Sequence, residues 1–239
     1  MAYWEMKSSN LFSVVTDFLK FIYRPDCKKV DDFFAVKIQK LLLLFLIVLV
    51  IRVILISMGE FFISTSFKKD ISQPDLKILL LSCSLVPVLE EIAFRLPLLF
   101  SSINLSLSTS ILSFFLINRF FLVDNHYDIG NYFFLRALMA LIIGAIVWFM
   151  SKKYAYNLKL FYSRKLCLIV YGYSLIFALM HIGNYEMKSN FLIASVWLVL
   201  PHIAAGLLYS FVRVKYGFFY SLSIHVINNL IPVIAFFFI

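Results

Sequence analysis

Long apolar runs alternate with short polar connections along the chain. Seven runs are long enough to be membrane-spanning helices, because a helix needs about 20 residues to cross a bilayer. These runs cover residues 41–63, 76–100, 105–121, 132–150, 166–185, 191–212 and 217–239. The pattern predicts an all-α fold, a polytopic transmembrane helix bundle of about seven spans.

The first 40 residues differ from the rest of the chain. Residues 11–25, LFSVVTDFLKFIYRP, mix apolar and polar positions at roughly helical spacing, which suits a helix lying on the membrane surface. An eighth span there is the alternative. The opening stretch, MAYWEMKSSN, lacks the charged start, apolar middle and cleavage site of a signal peptide, so we expect it to stay on the mature protein. We therefore predict an interfacial, cytoplasmic segment at 1–40 and a transmembrane domain at 41–239.

Composition is also that of a membrane protein. Hydrophobic residues make up 62% of the chain and aromatic residues 18%, and the mean hydropathy is +0.92. These values lie well above those of soluble domains. Cys27, Cys83 and Cys167 are far apart and form no CxxC or Cys/His motif, so we expect them to be packing residues rather than disulfides or metal ligands.

Positive charge is unevenly distributed among the predicted connections. With a cytoplasmic N-terminus, fourteen of the 22 lysines and arginines lie on the cytoplasmic side, four lie on the opposite side, including Lys77 at the outer end of the run at 76–100, and four lie deeper inside spans. Lysine and arginine concentrate in cytoplasmic loops, so this distribution predicts that orientation. The net charge of +9 indicates attraction to anionic lipid, whereas the basic motifs with interleaved aromatic residues that bind nucleic acid are absent from the sequence. We expect an integral protein of the bacterial plasma membrane.

Three ionisable residues interrupt the second apolar run. Residues 85–100, LVPVLEEIAFRLPLLF, contain Glu90, Glu91 and Arg95. Glu91 and Arg95 are four residues apart, so they share a helix face and can pair. Glu90 projects about 100° away and requires another helix, water or a proton. An ionisable group at membrane depth is a functional candidate, although an ion pair that only fixes helix packing is the structural alternative.

Two later runs carry histidines at comparable depth. FALMHIGNY contains His181 one turn after Phe177, and SIHVINNL contains His225 one turn before Asn229. At 1.5 Å per residue, Glu90 and His225 lie roughly 15 Å from the predicted cytoplasmic ends and His181 roughly 24 Å. A shared polar pocket is therefore expected. A carboxylate that takes a proton from water, with imidazole and carboxamide donors for an oxyanion, makes a hydrolytic site.

These segments resemble the motifs of a known family. EEIAFR, FALMH and HVINN are similar to the EExxxR, FxxxH and HxxxN motifs of the CPBP family, the CAAX prenyl endopeptidases and bacteriocin-processing (Abi-type) membrane proteins, and they occur in family order. The resemblance implies an intramembrane endopeptidase acting on a peptide or membrane-protein substrate. It implies Glu90 as the water-activating base, Glu91 and Arg95 as its support, His181 and His225 at the reacting carbonyl, and Asn229 as an oxyanion donor.

The chain departs from the family pattern by two extra apolar runs between EExxxR and FxxxH. An even number of added spans preserves the direction in which later helices cross. The resemblance leaves two mechanisms open, one in which zinc is held by Glu90, His181 and His225, and one that uses glutamate without metal. HExxH is absent from the sequence, and we favour the metal-free form with no cofactor.

Other interpretations remain for the whole chain and for single residues. A non-catalytic membrane scaffold or immunity-type binding protein is the first alternative, and a proton-coupled transporter is the second, although no inverted repeat is visible in the sequence. His202 follows Pro201, so we expect a packing or kink-capping role and little loss of activity in His202→Ala. The remaining arginines inside spans are expected to snorkel or pair locally; they are Arg52, Arg119 and Arg136.

Overall fold

The computed structural model describes residues 11–63, 76–120, 132–184 and 191–238, and all regular elements in these ranges are helical. The α-helices are α1 (Ser13–Tyr23), α2 (Phe34–Ile63), α3 (Leu76–Cys83), α4 (Leu85–Phe94), α5 (Ser102–Phe120), α6 (Phe133–Lys153), α7 (Ala155–Met180), α8 (Phe191–Lys215) and α9 (Phe218–Phe238). Short 3-10 turns follow α4 at Leu96–Leu98 and α7 at His181–Asn184. The predicted all-α architecture is confirmed for the described residues.

Four of the described helices are long and apolar enough to cross a membrane. They are Phe34–Gly59, Phe133–Lys153, Ala155–Met180 and Val196–Lys215, and a shorter apolar helix covers Phe218–Ile234. Many of their large apolar side chains are exposed, as expected of helices that face lipid. The described residues thus form a helical bundle with four candidate spans, and the count of seven stays a prediction.

The chain divides into two compact units. The first comprises Met1–Ser72 and Val170–Tyr220, and the second comprises Gln73–Ile169 and Ser221–Ile239. The helix α2 begins at Phe34 and continues through residue 40, and the division of the chain after residue 40 stays a prediction. An apolar run marks where a helix can be buried in lipid, and the polar turns before it belong to the same helix.

In the first unit, α1 packs against α2 and α8. Its buried face consists of Val14, Phe18 and Phe21, spaced four and three residues apart. The rings of Phe18 and Phe21 lie 5.3 and 5.4 Å from that of Phe211 in edge-to-face contacts. The predicted amphipathic helix therefore forms, and its apolar face packs on protein.

In the second unit, prolines divide the predicted span at 76–100. Pro87 has no N–H for the carbonyl four residues earlier and its ring crowds that carbonyl, which explains the break at Ser84 between α3 and α4. Pro97 likewise has no N–H for the carbonyl of Ala93, and Ser108 Oγ of α5 donates to that carbonyl at 2.5 Å. The segment that contains both glutamates is therefore a short, fixed helix.

The two inserted runs contribute α5 and α6, which pack closely in the second unit. A Cβ at Gly144 would lie 1.8 Å from Ser110 Oγ and 3.1 Å from the carbonyl oxygen of Ser106, so a larger residue would require Ser110 to rotate and the two helices to separate slightly. Ser106 Oγ donates to the carbonyl of Gly144 at 2.8 Å. Arg136 Nη1 donates to Asn118 Oδ1 at 2.6 Å with both residues fully buried, so this arginine pairs locally and does not snorkel.

Candidate functional site

One face of α9 carries three polar side chains at four-residue spacing: Ser221, His225 and Asn229. Ser221 contacts Glu91 on α4, and Asn229 contacts Ser82 on α3. The partner numbers fall as the α9 numbers rise, so α9 lies antiparallel to the α3–α4 stretch. The break before α4 and the polar face of α9 together place a cluster of hydrogen-bonding groups inside the second unit.

Glu91 is the inner carboxylate of this cluster and is fully buried. Ser221 Oγ donates to its Oε2 at 2.6 Å, and His225 Nδ1 lies 3.0 Å from its Oε1. Arg95 Nε lies 3.6 Å from the same oxygen, which is the pair predicted from the four-residue spacing. A buried carboxylate requires such partners, because leaving it without them costs several kcal/mol. Glu91 is held in one orientation by three groups.

Glu90 is the outer carboxylate. Its Oε2 lies 3.3 Å from His225 Nε2, and its side chain keeps 17% of its surface exposed while that of Glu91 keeps none. Two neighbouring glutamates on one helix therefore differ in accessibility. One is enclosed by protein, and the other keeps part of its surface exposed.

His225 joins the two glutamates, and its protonation determines the charge of the cluster. Its Nδ1 faces Glu91 and its Nε2 faces Glu90. A neutral imidazole has one N–H, so two such contacts require either an imidazolium or a proton on one carboxyl group. An imidazolium and the Arg95 guanidinium together balance two carboxylates. The buried cluster is then neutral overall, which a low-dielectric setting favours.

Asn229 lies one turn beyond His225, beside the break between α3 and α4. Its Nδ2 donates to the carbonyl of Ser82 at 3.1 Å, and Asn228 Nδ2 donates to its Oδ1 at 3.3 Å. Its backbone carbonyl accepts from Cys83 Sγ at 3.4 Å. A carboxamide has two N–H groups, and the Ser82 contact uses one of them. Cys83 is buried, as expected of a packing residue, whereas Cys27 and Cys167 are exposed.

In the first unit, His181 is held between two rings. Its ring centroid lies 4.6 Å from that of Phe177 and 4.1 Å from that of His202, with which it is stacked at 26°. Its Nδ1 lies 2.8 Å from the carbonyl of Phe177, to which it donates. This hydrogen bond fixes the tautomer of a neutral ring and directs the lone pair to Nε2. The expected packing role of His202 takes the form of this stack.

The predicted site residues thus fall into two groups. The second unit brings together Glu90, Glu91, Arg95 and His225 and places Asn229 one helical turn further on, whereas His181 belongs to the first unit. Sequence reasoning missed Ser221. A signal was present, because Ser221 precedes His225 by the same four residues that separate His225 from Asn229.

A zinc ion requires three protein ligands in a catalytic site. Among the described residues, no group of three or more His, Cys, Asp or Glu side chains is arranged to hold a metal ion. Glu90 and His225 present two ligand atoms, and the other nitrogen of His225 faces Glu91. The donor set of the second unit does not fit a three-ligand zinc centre.

Comparison of the chain with protein-family models, curated proteins and solved structures gave no match. An accessible carboxylate beside an imidazole accepts and returns protons, and a nearby carboxamide donates hydrogen bonds to a developing negative charge.

Proposed function

We propose that this protein is an integral-membrane peptidase of the CPBP type that hydrolyses a peptide bond with a water molecule activated by Glu90. The observation that carries the proposal is the difference between the two adjacent glutamates: Glu91 is enclosed by Ser221, His225 and Arg95, and Glu90 contacts His225 while keeping accessible surface. This division matches the roles of base and support that the motif resemblance implies.

In the proposed reaction Glu90 removes a proton from water as the oxygen adds to the substrate carbonyl carbon. The oxyanion accepts hydrogen bonds, and Glu90 returns the proton to the leaving amine as the C–N bond breaks. Both ring nitrogens of His225 face carboxylates, so we assign it to orienting Glu90 and stabilising its charge. Asn229 is assigned to the reacting carbonyl, and the role of His181 stays what the motif resemblance implies.

The proposal includes seven spans with a cytoplasmic N-terminus in the bacterial plasma membrane. Two contacts agree with this topology. The rings of Phe100, at the predicted cytoplasmic end of the span at 76–100, and Tyr162, in a predicted cytoplasmic connection, lie 5.2 Å apart. Asp26, in the N-terminal segment, pairs with Lys215 at the predicted cytoplasmic end of α8, at 2.6 Å.

A non-catalytic scaffold is the second candidate, and the enclosure of Glu91 favours it. A carboxylate with three buried partners holds α4 against α9, and this packing role alone would account for Glu91. The scaffold gives no reason for Glu90 to remain accessible, and it predicts that a Glu90→Gln protein works as well as the wild type.

The test is a comparison of membrane peptidomes from cells with the wild-type protein, without it, and with Glu90→Gln. A matched control is Glu60→Gln, at a glutamate that the sequence places near the outer end of the first span. We expect a cleavage product that is present with the wild type and Glu60→Gln and missing in the other two. A product that persists with Glu90→Gln removes Glu90 as the base, and identical peptidomes in all four cases favour the scaffold.

A further inference from the structure

The chain changes direction twice between α6 and the apolar part of α7. Tyr154, which follows α6, has φ −105° and ψ 23°, and Lys165 inside α7 has φ −118° and ψ 23°. Both residues leave the helical region, so residues 155–164 form a short helix bounded by two breaks. The candidate span Phe133–Lys153 precedes it, and the candidate span Ala155–Met180 begins with it and continues into an apolar part. We call residues 152–165 the basic elbow.

The basic elbow carries a high density of positive charge. Its sequence, KKYAYNLKLFYSRK, has five basic residues and no acidic one. The basic side chains are all exposed: Lys152, Lys153, Lys159, Arg164 and Lys165. In contrast, residues 12–34 of the N-terminal segment contain four basic and four acidic residues, so their formal charge is zero. Within the basic elbow, no acidic residue balances the five positive charges.

Apolar side chains accompany these charges on the exposed side. Tyr156 is 80% exposed, Phe161 46% and Leu160 38%. The opposite side of the short helix is anchored, because Tyr162 is half-buried and contacts Phe100. A fixed helix with exposed aromatic, aliphatic and basic side chains has the composition of an interfacial membrane helix.

Lys152 gives a further indication of the elbow's position. Its Nζ lies 3.9 Å from the centroid of the Trp148 ring near the end of α6. Tryptophan is enriched where a membrane helix enters the headgroup region. The elbow begins within one turn of that ring, which is the position expected for cations that contact lipid phosphates.

We propose that the basic elbow binds the headgroups of anionic phospholipids in the bilayer that the adjoining helices cross. The basic side chains contact the phosphates, and Tyr156, Leu160 and Phe161 insert among the upper acyl carbons. The proposal is independent of the peptidase proposal, since none of these residues belongs to the cluster on α4 and α9.

The test uses the full-length detergent-solubilised protein and native mass spectrometry to measure dissociation constants for phosphatidylglycerol and phosphatidylcholine. The elbow variant carries Lys153→Gln, Lys159→Gln, Arg164→Gln and Lys165→Gln. The matched control carries Lys20→Gln, Arg24→Gln, Lys28→Gln and Lys29→Gln. It also removes three lysines and one arginine, but from exposed positions of the N-terminal segment.

Each basic residue near an anionic surface strengthens binding by roughly fivefold. We expect the elbow variant to bind phosphatidylglycerol at least about tenfold more weakly, the control to bind it as the wild type does, and affinity for phosphatidylcholine to stay constant. Equal phosphatidylglycerol affinity in wild type and elbow variant would overturn the proposal. Equally tight binding of free glycerol phosphate would also overturn it, because the occupant would then not be a bilayer lipid. If the fourfold variant does not fold, Lys159→Gln and Arg164→Gln are measured singly, with roughly fivefold weakening expected in each.

Discussion

Glu90 Oε2 and His225 Nε2 lie 3.3 Å apart, and the other nitrogen of the same ring lies 3.0 Å from Glu91. One imidazole thus connects two neighbouring carboxylates, of which only Glu90 keeps accessible surface. The two glutamates should therefore respond differently to the same isosteric change.

Glu90→Gln should remove cleavage and leave the fold intact. The amide keeps the shape of the side chain but cannot accept a proton from water, and loss of general-base catalysis lowers turnover by about 10²–10⁴. Glu91→Gln replaces one of the carboxylate oxygens that accept hydrogen bonds from Ser221 and His225 with an N–H₂ group, which cannot accept them. This change should lower the free energy of unfolding by about 1–3 kcal/mol. Turnover and thermal unfolding in detergent separate the two effects. Equal loss of stability in both variants would contradict the assignment of distinct roles.

Arg95→Ala should destabilise the protein by about 3–5 kcal/mol, because it leaves the buried Glu91 carboxylate without its guanidinium. The double variant Glu91→Gln/Arg95→Ala removes the excess charge and should regain part of that loss. Thermal unfolding of both variants in the same detergent measures the difference. If the unfolding temperature of the double variant is no higher than that of Arg95→Ala, the pair does not contribute as proposed.

The candidate site was predictable where its geometry is local. The spacing of Glu91 and Arg95 follows from helix periodicity, and the structure has the pair. The partner of Glu90 required tertiary information, since His225 reaches it from another helix. Glu90 and His225 lie at similar distances from the predicted cytoplasmic ends of their spans, which favoured this contact. Which ring nitrogen faces which glutamate depends on how α9 is rotated against α4. The hydroxyl of Ser221 was overlooked for the same reason.

The fold was predictable in its class and in several boundaries. The predicted span at 166–185 begins one residue after the break at Lys165, where the chain changes from basic to apolar. The predicted span at 76–100 is instead divided at Ser84. Hydropathy indicates which segments are soluble in lipid, but it does not show where a helix is interrupted. Pro87 was the signal in the sequence for this break. His126 falls between the predicted spans at 105–121 and 132–150 and lies outside the described residues.

The stack of His202 on His181 changes the expectation for His202→Ala. Aromatic pairs contribute about 0.5–1.5 kcal/mol, so losing the ring that restrains His181 should lower turnover roughly two- to tenfold. His202→Phe keeps an aromatic ring and should retain most of the activity, whereas His181→Ala should lose nearly all of it. Turnover of the three variants is compared at matched thermal stability. Full activity in His202→Ala would restore the original expectation of a dispensable packing residue.

The ion pair between Asp26 and Lys215 should stabilise the protein in a pH-dependent way. Burial acts to raise the pKa of Asp26, but hydrogen bonds from Lys215 Nζ and the Lys28 backbone outweigh it and lower the pKa below its ordinary value. A lowered folded-state pKa means that the stabilisation is complete above about pH 3.9, the unfolded value, and is lost as the pH falls through the folded value.

Asp26→Asn should therefore unfold at a lower temperature than the wild type at pH 7, and the difference should disappear in strong acid. Asp26 is 48% exposed, so the pair contributes no more than about 1 kcal/mol. The control is Asp31→Asn, at an exposed aspartate of the same segment. A difference between Asp26→Asn and wild type that persists unchanged below the folded pKa would show that the effect is not the ion pair.

Metal dependence separates the two mechanisms that the motif resemblance leaves open. If zinc activates the water, a strong chelator should abolish turnover and added zinc should restore it, because the bound ion brings the pKa of water to about 7. We expect turnover to survive the chelator, because Glu90 and His225 supply only two ligand atoms and a glutamate that binds zinc is no longer available as the base. Elemental analysis of the active, purified protein provides the measurement. About one zinc per chain, lost and regained together with turnover, would replace the metal-free mechanism with a metallopeptidase whose third ligand comes from outside the Glu90–His225 pair.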